Sequence, residues 1–342
     1  MTTIRDVANY ANVSVGTVSN VLNGNSVVKE ETRKRVLEAI EILSYYPTAA
    51  ARSLSSQRTN TIGLVRTELR MQNNHIEPDP FITHLIEGIS AAAVATETGL
   101  TFWTIPIGTK ELDLYEKLAR GRQVDGLILF ALRKNDPRIT FLKSVDFPFV
   151  VFGHDGDELD LNWIDVDGAY GLELAVNHLA ELGHKRIGYL SPLSEQYLAQ
   201  QRWIGFEKSM RQHHLTISSD LIYEGDFTEQ SGQLGTHYLL DQPQVPTAII
   251  CANDRMAFGS IRAIQARGLT VGRDVSVIGF DDITLARYSQ PSLTTIHQPV
   301  REIAMKLFDL LQVVIAQKPT EGLTGQMIRP ELKIRESTGV PL

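Results

Sequence analysis

The chain has 342 residues, of which 43% are hydrophobic and 21% are charged, a composition typical of a soluble globular protein. This length is enough for a small head and one large bilobed domain. The single cysteine, Cys251, excludes an internal disulfide framework and fits the reducing cytoplasm. The N-terminal residues lack the pattern of an export signal, and no apolar run reaches the length of a membrane span, so no membrane association is expected.

The net charge of −7 is unevenly distributed along the chain. Residues 1–58 contain seven basic and five acidic side chains, which gives this segment a charge of +2 and leaves −9 for the rest. Only the N-terminal segment is therefore suited to meet phosphate groups. Because its charge is modest, tight binding to a polyanion is expected to need two such segments on one site.

The first 44 residues contain three helical patterns. Apolar residues recur at helical spacing from Ile4 to Ala11, and Thr3 with Asp6 predicts a capping box at the start of this helix. Ser14 is predicted to cap a second helix, and a third is predicted from about Lys29 to Ser44. Two short helices joined by a tight turn form a helix-turn-helix unit, whose second helix can lie in the DNA major groove. A three-helix bundle without a ligand is the alternative.

The outward residues at the start of the second helix are small or carry an amide, so they can approach base edges. Asn20 could pair with adenine through two hydrogen bonds, and Val15 could touch a thymine methyl group. Gly16 lowers the stability of a helix by about 1 kcal/mol relative to alanine, and a close approach of the backbone to DNA would account for it.

From residue 61 onward, short β-branched runs alternate with helical stretches, which predicts parallel sheets covered by helices, arranged as two similar lobes. The predicted strands are Thr61–Val65, Leu100–Ile107, Gly126–Phe130, Phe149–Gly153, Arg186–Ser191, Leu221–Glu224, Ala248–Ala252 and Val275–Gly279. The predicted helices include Ile82–Thr98, Tyr170–Leu182, Trp203–Gln212, Gln230–Leu240 and Met256–Arg267. In such α/β folds, ligands bind at the carboxyl ends of the strands.

Polar clusters follow three of these strands. They are Gly153-His154-Asp155, Asn253-Asp254 and Asp281-Asp282. Carboxylates and amides can bind hydroxyl groups, and Arg202, Trp163 and Phe227 could add a cation and aromatic faces, so the set suits a polyol such as a sugar. The alternative for each cluster is a turn or a helix cap.

Enzyme signatures are missing from the sequence. There is no phosphate-binding glycine loop with lysine, no metal-spaced His/Cys set and no nucleophile elbow, so no catalytic residue, metal or cofactor is expected. The paired acids Asp281-Asp282 leave a glycosidase as a remote alternative. A solute-binding protein for a transporter is another, but the DNA-binding head and the missing export signal argue against it.

Together these residues resemble the lactose-repressor (LacI/GalR) family of bacterial transcription regulators, over essentially the whole chain. Matching motifs are Asp6-Val7-Ala8, Val13-Ser14…Thr17-Val18-Ser19, Thr32-Arg33, Leu43-Ser44-Tyr45-Tyr46-Pro47, Pro80-Phe81 ahead of Gly88, Val124-Asp125-Gly126-Leu127-Ile128, Asp167-Gly168, His178-Leu179…Leu182-Gly183-His184, Arg202…Gly205-Phe206, Pro246-Thr247-Ala248, Asn253-Asp254, Gly279-Phe280-Asp281-Asp282 and Leu293-Thr294-Thr295-Ile296. The resemblance implies an all-α helix-turn-helix head (1–46), a hinge helix and linker (47–60), and a body like a periplasmic sugar-binding protein (61–342). The expected lobes are about 61–161 with 291–322, and 162–290 with 323–342.

The resemblance also implies a set of DNA contacts. Val15 and Gly16 fall at the two specificity positions, and Leu54, with Ala51 beside it, matches the residue that wedges into the minor groove. Thr48 stands where the family usually has Asn, and Asn20 where Arg or His is more common. The positions matching phosphate contacts or packing are Ser14, Thr17, Ser19, Asn23, Thr32 and Tyr45.

For the effector, Arg202, Asn253 and Asp281 match hydroxyl-binding residues of the family, Phe227 and Trp163 match aromatic walls, and Phe81 matches a residue near the ligand. Gly153-His154 stands about where the lactose repressor has Asp, which implies a wider pocket floor and favours a disaccharide or other glycoside. The expected protein is a homodimeric repressor of carbohydrate-utilisation genes, released from a palindromic operator when the sugar binds. A corepressor-dependent regulator of the purine-sensing type is the alternative. No long heptad tail follows Arg335, so a dimer is expected rather than a tetramer.

Overall fold

The computed structural model describes residues 2–22, 27–46, 58–68, 79–106, 111–153, 161–194, 196–317 and 325–342. The head consists of α1 (Ile4–Tyr10), α2 (Val15–Leu22) and α3 (Glu30–Ile42). As predicted, Thr3 and Asp6 form a capping box at α1, and the Ser14 hydroxyl accepts a hydrogen bond from the Thr17 N–H at 3.1 Å. Buried apolar side chains from all three helices form one small core.

Twelve strands and eight further helices make up the described body. The strands are β1 (Thr61–Glu68), β2 (Gly99–Pro106), β3 (Gly126–Leu129), β4 (Phe149–Phe152), β5 (Trp163–Val166), β6 (Ile187–Ser191), β7 (Ile222–Glu224), β8 (Ala248–Cys251), β9 (Ser276–Asp281), β10 (Thr294–His297), β11 (Gln326–Ile328) and β12 (Glu331–Lys333). The helices are α4 (Pro80–Val94), α5 (Glu111–Arg120), α6 (Pro137–Ser144), α7 (Gly168–Glu181), α8 (Tyr197–Gln212), α9 (Glu229–Leu240), α10 (Asp254–Ala266) and α11 (Val300–Ile315).

The strands form two six-stranded sheets, one in each lobe. The first has the order β11-β5-β4-β3-β1-β2 and is parallel throughout. The second has the order β12-β10-β9-β8-β6-β7 and is parallel except for the edge strand β12. Separate hydrophobic clusters pack on the two faces of each sheet, as expected for parallel strands buried on both sides.

The chain passes between the lobes three times. It leaves the first sheet after β5, returns after β10, and leaves again between β11 and β12. The sequence-based lobe limits at 161/162, 290/291 and 322/323 differ from this pairing, because they assign β5 and β11 to the second lobe and β10 to the first. Each predicted limit lies a few residues before the strand after which the chain crosses to the other lobe.

The residues after β12 lie against the second sheet. The Ser337 hydroxyl donates to the Val277 carbonyl at 2.6 Å, and the ring nitrogens of His184 each lie 2.9 Å from an oxygen, Nε2 from the Gly339 carbonyl and Nδ1 from the Thr247 hydroxyl. This arrangement suits a neutral imidazole, which donates one hydrogen bond and accepts another. The lone cysteine, Cys251, is buried in a hydrophobic cluster of the second lobe, and burial raises the pKa of its thiol to about 12.

Acid should weaken this anchorage. Burial lowers the pKa of the His184 imidazole below 6.5, so the folded state resists protonation more than the unfolded chain does. The stability that this histidine contributes is present above pH 6.5 and is lost as the pH falls below that value.

We therefore expect the Tm of the wild type to decrease when the pH is lowered from about 7.5 to about 5.5. His184→Gln should have a lower Tm than the wild type at about pH 7.5 and a smaller decrease in Tm on acidification. His214→Gln, at an exposed site, is the control and should keep the wild-type slope. An unchanged slope in His184→Gln would contradict this role. The measurement is a thermal melt at each pH.

Candidate functional site

A cavity of about 410 Å³ lies between the two lobes, among residues that follow the carboxyl ends of the strands. Six of the seven predicted effector residues that the structure describes line it. They are Phe81, Gly153, Arg202, Phe227, Asn253 and Asp281. The structure thus brings together residues that are up to 200 positions apart, as expected for the crevice of parallel α/β folds.

An aromatic pair forms part of the wall on the first lobe. The rings of Phe81 and Phe152 stack with centroids 5.8 Å apart. Phe81 is held at the start of α4, where the Asp79 carboxylate accepts a hydrogen bond from its N–H at 3.0 Å and Pro80 occupies the first helical position. An apolar face of this kind can cover the C–H side of a sugar ring or the plane of a base.

Arg202 is the main buried cation on the second-lobe side. Its guanidinium carbon lies 3.7 Å from the centroid of the Phe280 ring, and one amino group donates to the Ala252 carbonyl at the end of β8. Burial lowers the pKa of this guanidinium, while Tyr189 and Asp281 act in the opposite direction. The stacking fixes the plane of the guanidinium beside the cavity, so its direction toward a ligand is set before binding.

Asp281 presents a carboxyl group to the same cavity. Its φ of +125° is unusual for a residue with a side chain, and the Gln298 amide donates to Oδ1 at 2.6 Å. Burial raises the pKa of Asp281 well above the ordinary value, the neighbouring Asp254 raises it further, and Arg202 lowers it. A carboxyl group in this setting can exchange hydrogen bonds with a ligand hydroxyl as donor or as acceptor.

Asn253 caps a helix, which was the alternative to ligand binding for its polar cluster. Its Oδ1 accepts from the Met256 N–H at 2.9 Å, which caps α10, and its Nδ2 donates to the Phe227 carbonyl at 3.1 Å. Phe227 has a φ of +65°, and the bond from Asn253 holds that backbone in place. Asn253 therefore both lines the cavity and positions an aromatic neighbour.

Trp163 is the predicted residue that the structure leaves outside the lining. It belongs to β5, packs against a hydrophobic cluster of the first lobe, and has Gly325 next to its ring. Its position along the strand gives the reason, because Trp163 is the first residue of β5, whereas Asp165 and Val166, which reach the cavity, lie at the carboxyl end. His154 lies outside the described residues.

Several lining residues were not among the predicted ones, above all Arg133, Arg138 and Gln196. The first two follow the buried strand β3, as the recognised polar clusters follow β4, β8 and β9. That shared placement is a signal that could have identified them.

In the head, Ser14, Val15 and Gly16 are exposed at the start of α2, and Ser19 and Asn20 are half-buried farther along. Thr17 bonds to Ser14 through their hydroxyls, at 2.9 Å. Thr32 is half-buried on α3, whereas Tyr45 is buried in the core of the head, so it packs. The remaining predicted contacts, Asn23, Thr48, Ala51 and Leu54, lie outside the described residues.

The described residues offer neither a metal-binding cluster nor a membrane-spanning helix. No cluster of three or more His, Cys, Asp or Glu side chains is placed to hold a metal ion in the ranges given above. Among the helices of those ranges, none is both long and apolar enough to cross a bilayer.

Comparison with known proteins agrees with this architecture. Residues 3–48 match the model for bacterial regulatory proteins of the lacI family, and residues 176–338 match a periplasmic binding protein-like domain. The chain is 34% identical to the HTH-type transcriptional repressor PurR of Aliivibrio salmonicida, over 98% of this chain and 99% of that protein.

Two solved structures are similar over nearly the whole chain. One is the Lac repressor dimer bound to operator and the anti-inducer ONPF, with a TM-score of 0.84, 29% identity and 99% coverage of each chain. The other is the complex of the transcriptional regulator CelR with cellobiose, with a TM-score of 0.74 and 29% identity over 98% of this chain and 100% of that one. The chain belongs to the lacI family of bacterial regulatory proteins and is a DNA-binding transcriptional repressor with an effector-binding domain.

Proposed function

We propose that the protein represses carbohydrate-utilisation genes and leaves a palindromic operator when a sugar binds between its lobes. The observation that carries this proposal is the cavity itself, where Arg202 and Asp281 offer polar groups to hydroxyls and Phe81 and Phe227 offer apolar faces. Small-molecule sites combine apolar walls with a few placed polar groups in this way.

Within the sugars we favour a disaccharide or other glycoside. The cavity volume of about 410 Å³ lies within the range of about 300–1,000 Å³ that is typical of ligand sites. The similarity to the cellobiose complex of CelR supports the same class. A purine or other small metabolite acting as corepressor is the alternative, and the similarity to the repressor PurR is the reason to test it.

We further propose that the working unit is a cytoplasmic homodimer with the domain division 1–46, 47–60 and 61–342. The Lac repressor structure is a dimer on its operator, and two copies of the segment 1–58, each with a charge of +2, would supply more contacts than one. Tyr288 is 76% exposed and Leu285 is 54% exposed on the same short helical turn, which offers an apolar surface to a second copy.

The proposed control is negative and uses a difference in affinity between two states. The ligand-free dimer holds the operator, and a sugar that binds the closed lobes more tightly than the open lobes shifts the population away from the DNA-binding form. Binding rather than catalysis is proposed, so incubation with glycosides should leave them unhydrolysed.

A ligand screen tests the effector class. We expect at least one disaccharide or glycoside to raise Tm, because a ligand that binds the native state stabilises it by mass action. The same compound should weaken binding to an operator selected from a palindromic DNA library. A purine base that raises Tm and tightens operator binding, with all sugars inactive, would overturn the proposal in favour of a corepressor.

Arg202→Ala should remove the ligand response and leave operator binding in place. The change deletes the buried cation beside the cavity, while the head lies in a separate part of the chain. The measurement compares the ligand-induced Tm shift and the operator Kd of the variant with those of the wild type. A normal Tm shift would exclude Arg202 from the site.

Two substitutions in the head separate base contacts from backbone contacts. Asn20→Ala should change the rank order of operators, with a loss of about 1–3 kcal/mol at one base pair. Thr32→Val should weaken binding to all sequences alike, because contacts to phosphate carry no sequence information. Anisotropy titrations over operators with single base-pair changes give both results, and a uniform loss in Asn20→Ala would contradict its assignment.

A further inference from the structure

The lobes touch at a place separate from the three crossings. Arg133 of the first lobe and Gln196 of the second form an isolated antiparallel bridge, and the Tyr197 N–H donates to the Leu132 carbonyl at 3.3 Å. The side chain of Tyr197 packs against a hydrophobic cluster of the first lobe that includes Leu132. We call these four residues the inter-lobe bridge.

The first-lobe half of the bridge is held by buried charges. The Asp136 carboxylate accepts from the Arg133 N–H at 3.2 Å and from Arg138 Nε at 2.9 Å, and Arg138 also donates to the Phe130 carbonyl at 3.2 Å. Ala131 has a φ of +54°, a conformation that persists only when its surroundings enforce it. The loop thus has a fixed shape against which the second lobe docks.

The side chain of Arg133 is anchored as well. Its guanidinium lies 2.6 Å from Glu111 Oε2 at the start of α5, and Arg138 lies 3.7 Å from the other oxygen of the same carboxylate. Arg133 and Arg138 both line the cavity. Because their charges are matched by Glu111 and Asp136, the wall they form is held in place without attracting an anion.

The second-lobe half of the bridge contains an unsatisfied polar group. Gln196 is 7% exposed and lines the cavity, and its Oε1 is buried without a hydrogen-bond partner among the described residues. A buried acceptor without a donor destabilises the state that contains it. A turn of the amide can bring this oxygen to the cavity, where a molecule that supplies a donor would remove that penalty for the bridged arrangement of the lobes.

We propose that Gln196 binds a hydrogen-bond donor of the effector and thereby stabilises the inter-lobe bridge. A hydroxyl or N–H group of the ligand donates to Gln196 Oε1 and stabilises the pairing of Arg133 with Gln196, which keeps the lobes closed. The inference rests on the proposed effector function of the cavity. It adds that the effector carries a donor at this end and that Gln196 couples binding to closure as a positioning residue.

Substitution of Gln196 tests the donor. Gln196→Met keeps the length of the side chain without the acceptor, and Gln196→Glu keeps an acceptor. Using the mono- and disaccharides and purine bases of the screen as probes, we expect about a tenfold weaker affinity in Gln196→Met for the active probe and a smaller change in Gln196→Glu. Gln212→Met, at the exposed end of the same helix, is the control and should bind as the wild type does.

Hydrogen exchange tests the bridge without a ligand. Tyr197 is the first residue of α8, where proline is tolerated, so Tyr197→Pro removes the N–H that bonds to Leu132 and also removes the ring. We expect faster deuterium uptake in residues 130–136 of this variant, and slower uptake there when the active probe is added to the wild type. Tyr197→Phe keeps the N–H and the ring, so its uptake there should be slower than that of Tyr197→Pro, and Gln212→Met should match the wild type.

The outcomes separate the two claims. If no probe shifts the Tm of the wild type, the proposed effector function fails and the role of Gln196 fails with it. If a probe binds the wild type and Gln196→Met equally well, only the role of Gln196 is overturned. Unchanged uptake in residues 130–136 of Tyr197→Pro would overturn the bridge itself.

Discussion

The threefold passage of the chain between its two sheets is the constraint on which the site depends. Since the segments after β5, β10 and β11 all join the lobes, the carboxyl ends of both parallel sheets are kept beside one cavity. A few connecting segments of this kind can absorb the rotation of two rigid bodies. The cavity is therefore the part of the molecule that a relative movement of the lobes changes most, and polar side chains from both lobes are placed there.

The burial of charged groups around the cavity favours ligand binding at the expense of folding stability. Arg202, Asp254 and Asp281 are all buried, and burial raises the pKa of the Asp254 carboxyl to about 7 despite hydrogen bonds from Thr295 and from the Ile283 N–H. Removing such groups from water opposes folding unless each one finds partners. The same low dielectric strengthens any hydrogen bond that a ligand makes to Arg202 and Asp281, the two of these residues that line the cavity. Groups of this kind are expected where a small molecule must be held by few contacts.

The sequence was most informative where local physical chemistry decides the structure. The capping box at Thr3 and most long strands follow from short-range patterns, and polar residues after buried strands identified much of the cavity. The strands β5, β10, β11 and β12 were not predicted, because they contain no continuous apolar run and their pairing is set by distant segments, whereas the equally short β3, β4 and β8 are apolar throughout. Trp163 was misplaced because β5 was not predicted, so its place at the start of that strand, away from the carboxyl end, was not known. Gln196 carries no local signal, because its importance comes from Arg133, sixty-three positions earlier.

The buried thiol of Cys251 has a practical consequence for studying the lobes in motion. Thiolate is the form that reacts with alkylating dyes, and a thiol with a pKa of about 12 inside a hydrophobic core has almost none of it at neutral pH. A cysteine introduced at the surface of each lobe would then be the only pair to take up label, and the native residue could stay. Fluorescence energy transfer between such labels would report the separation of the lobes in a molecule whose core is intact.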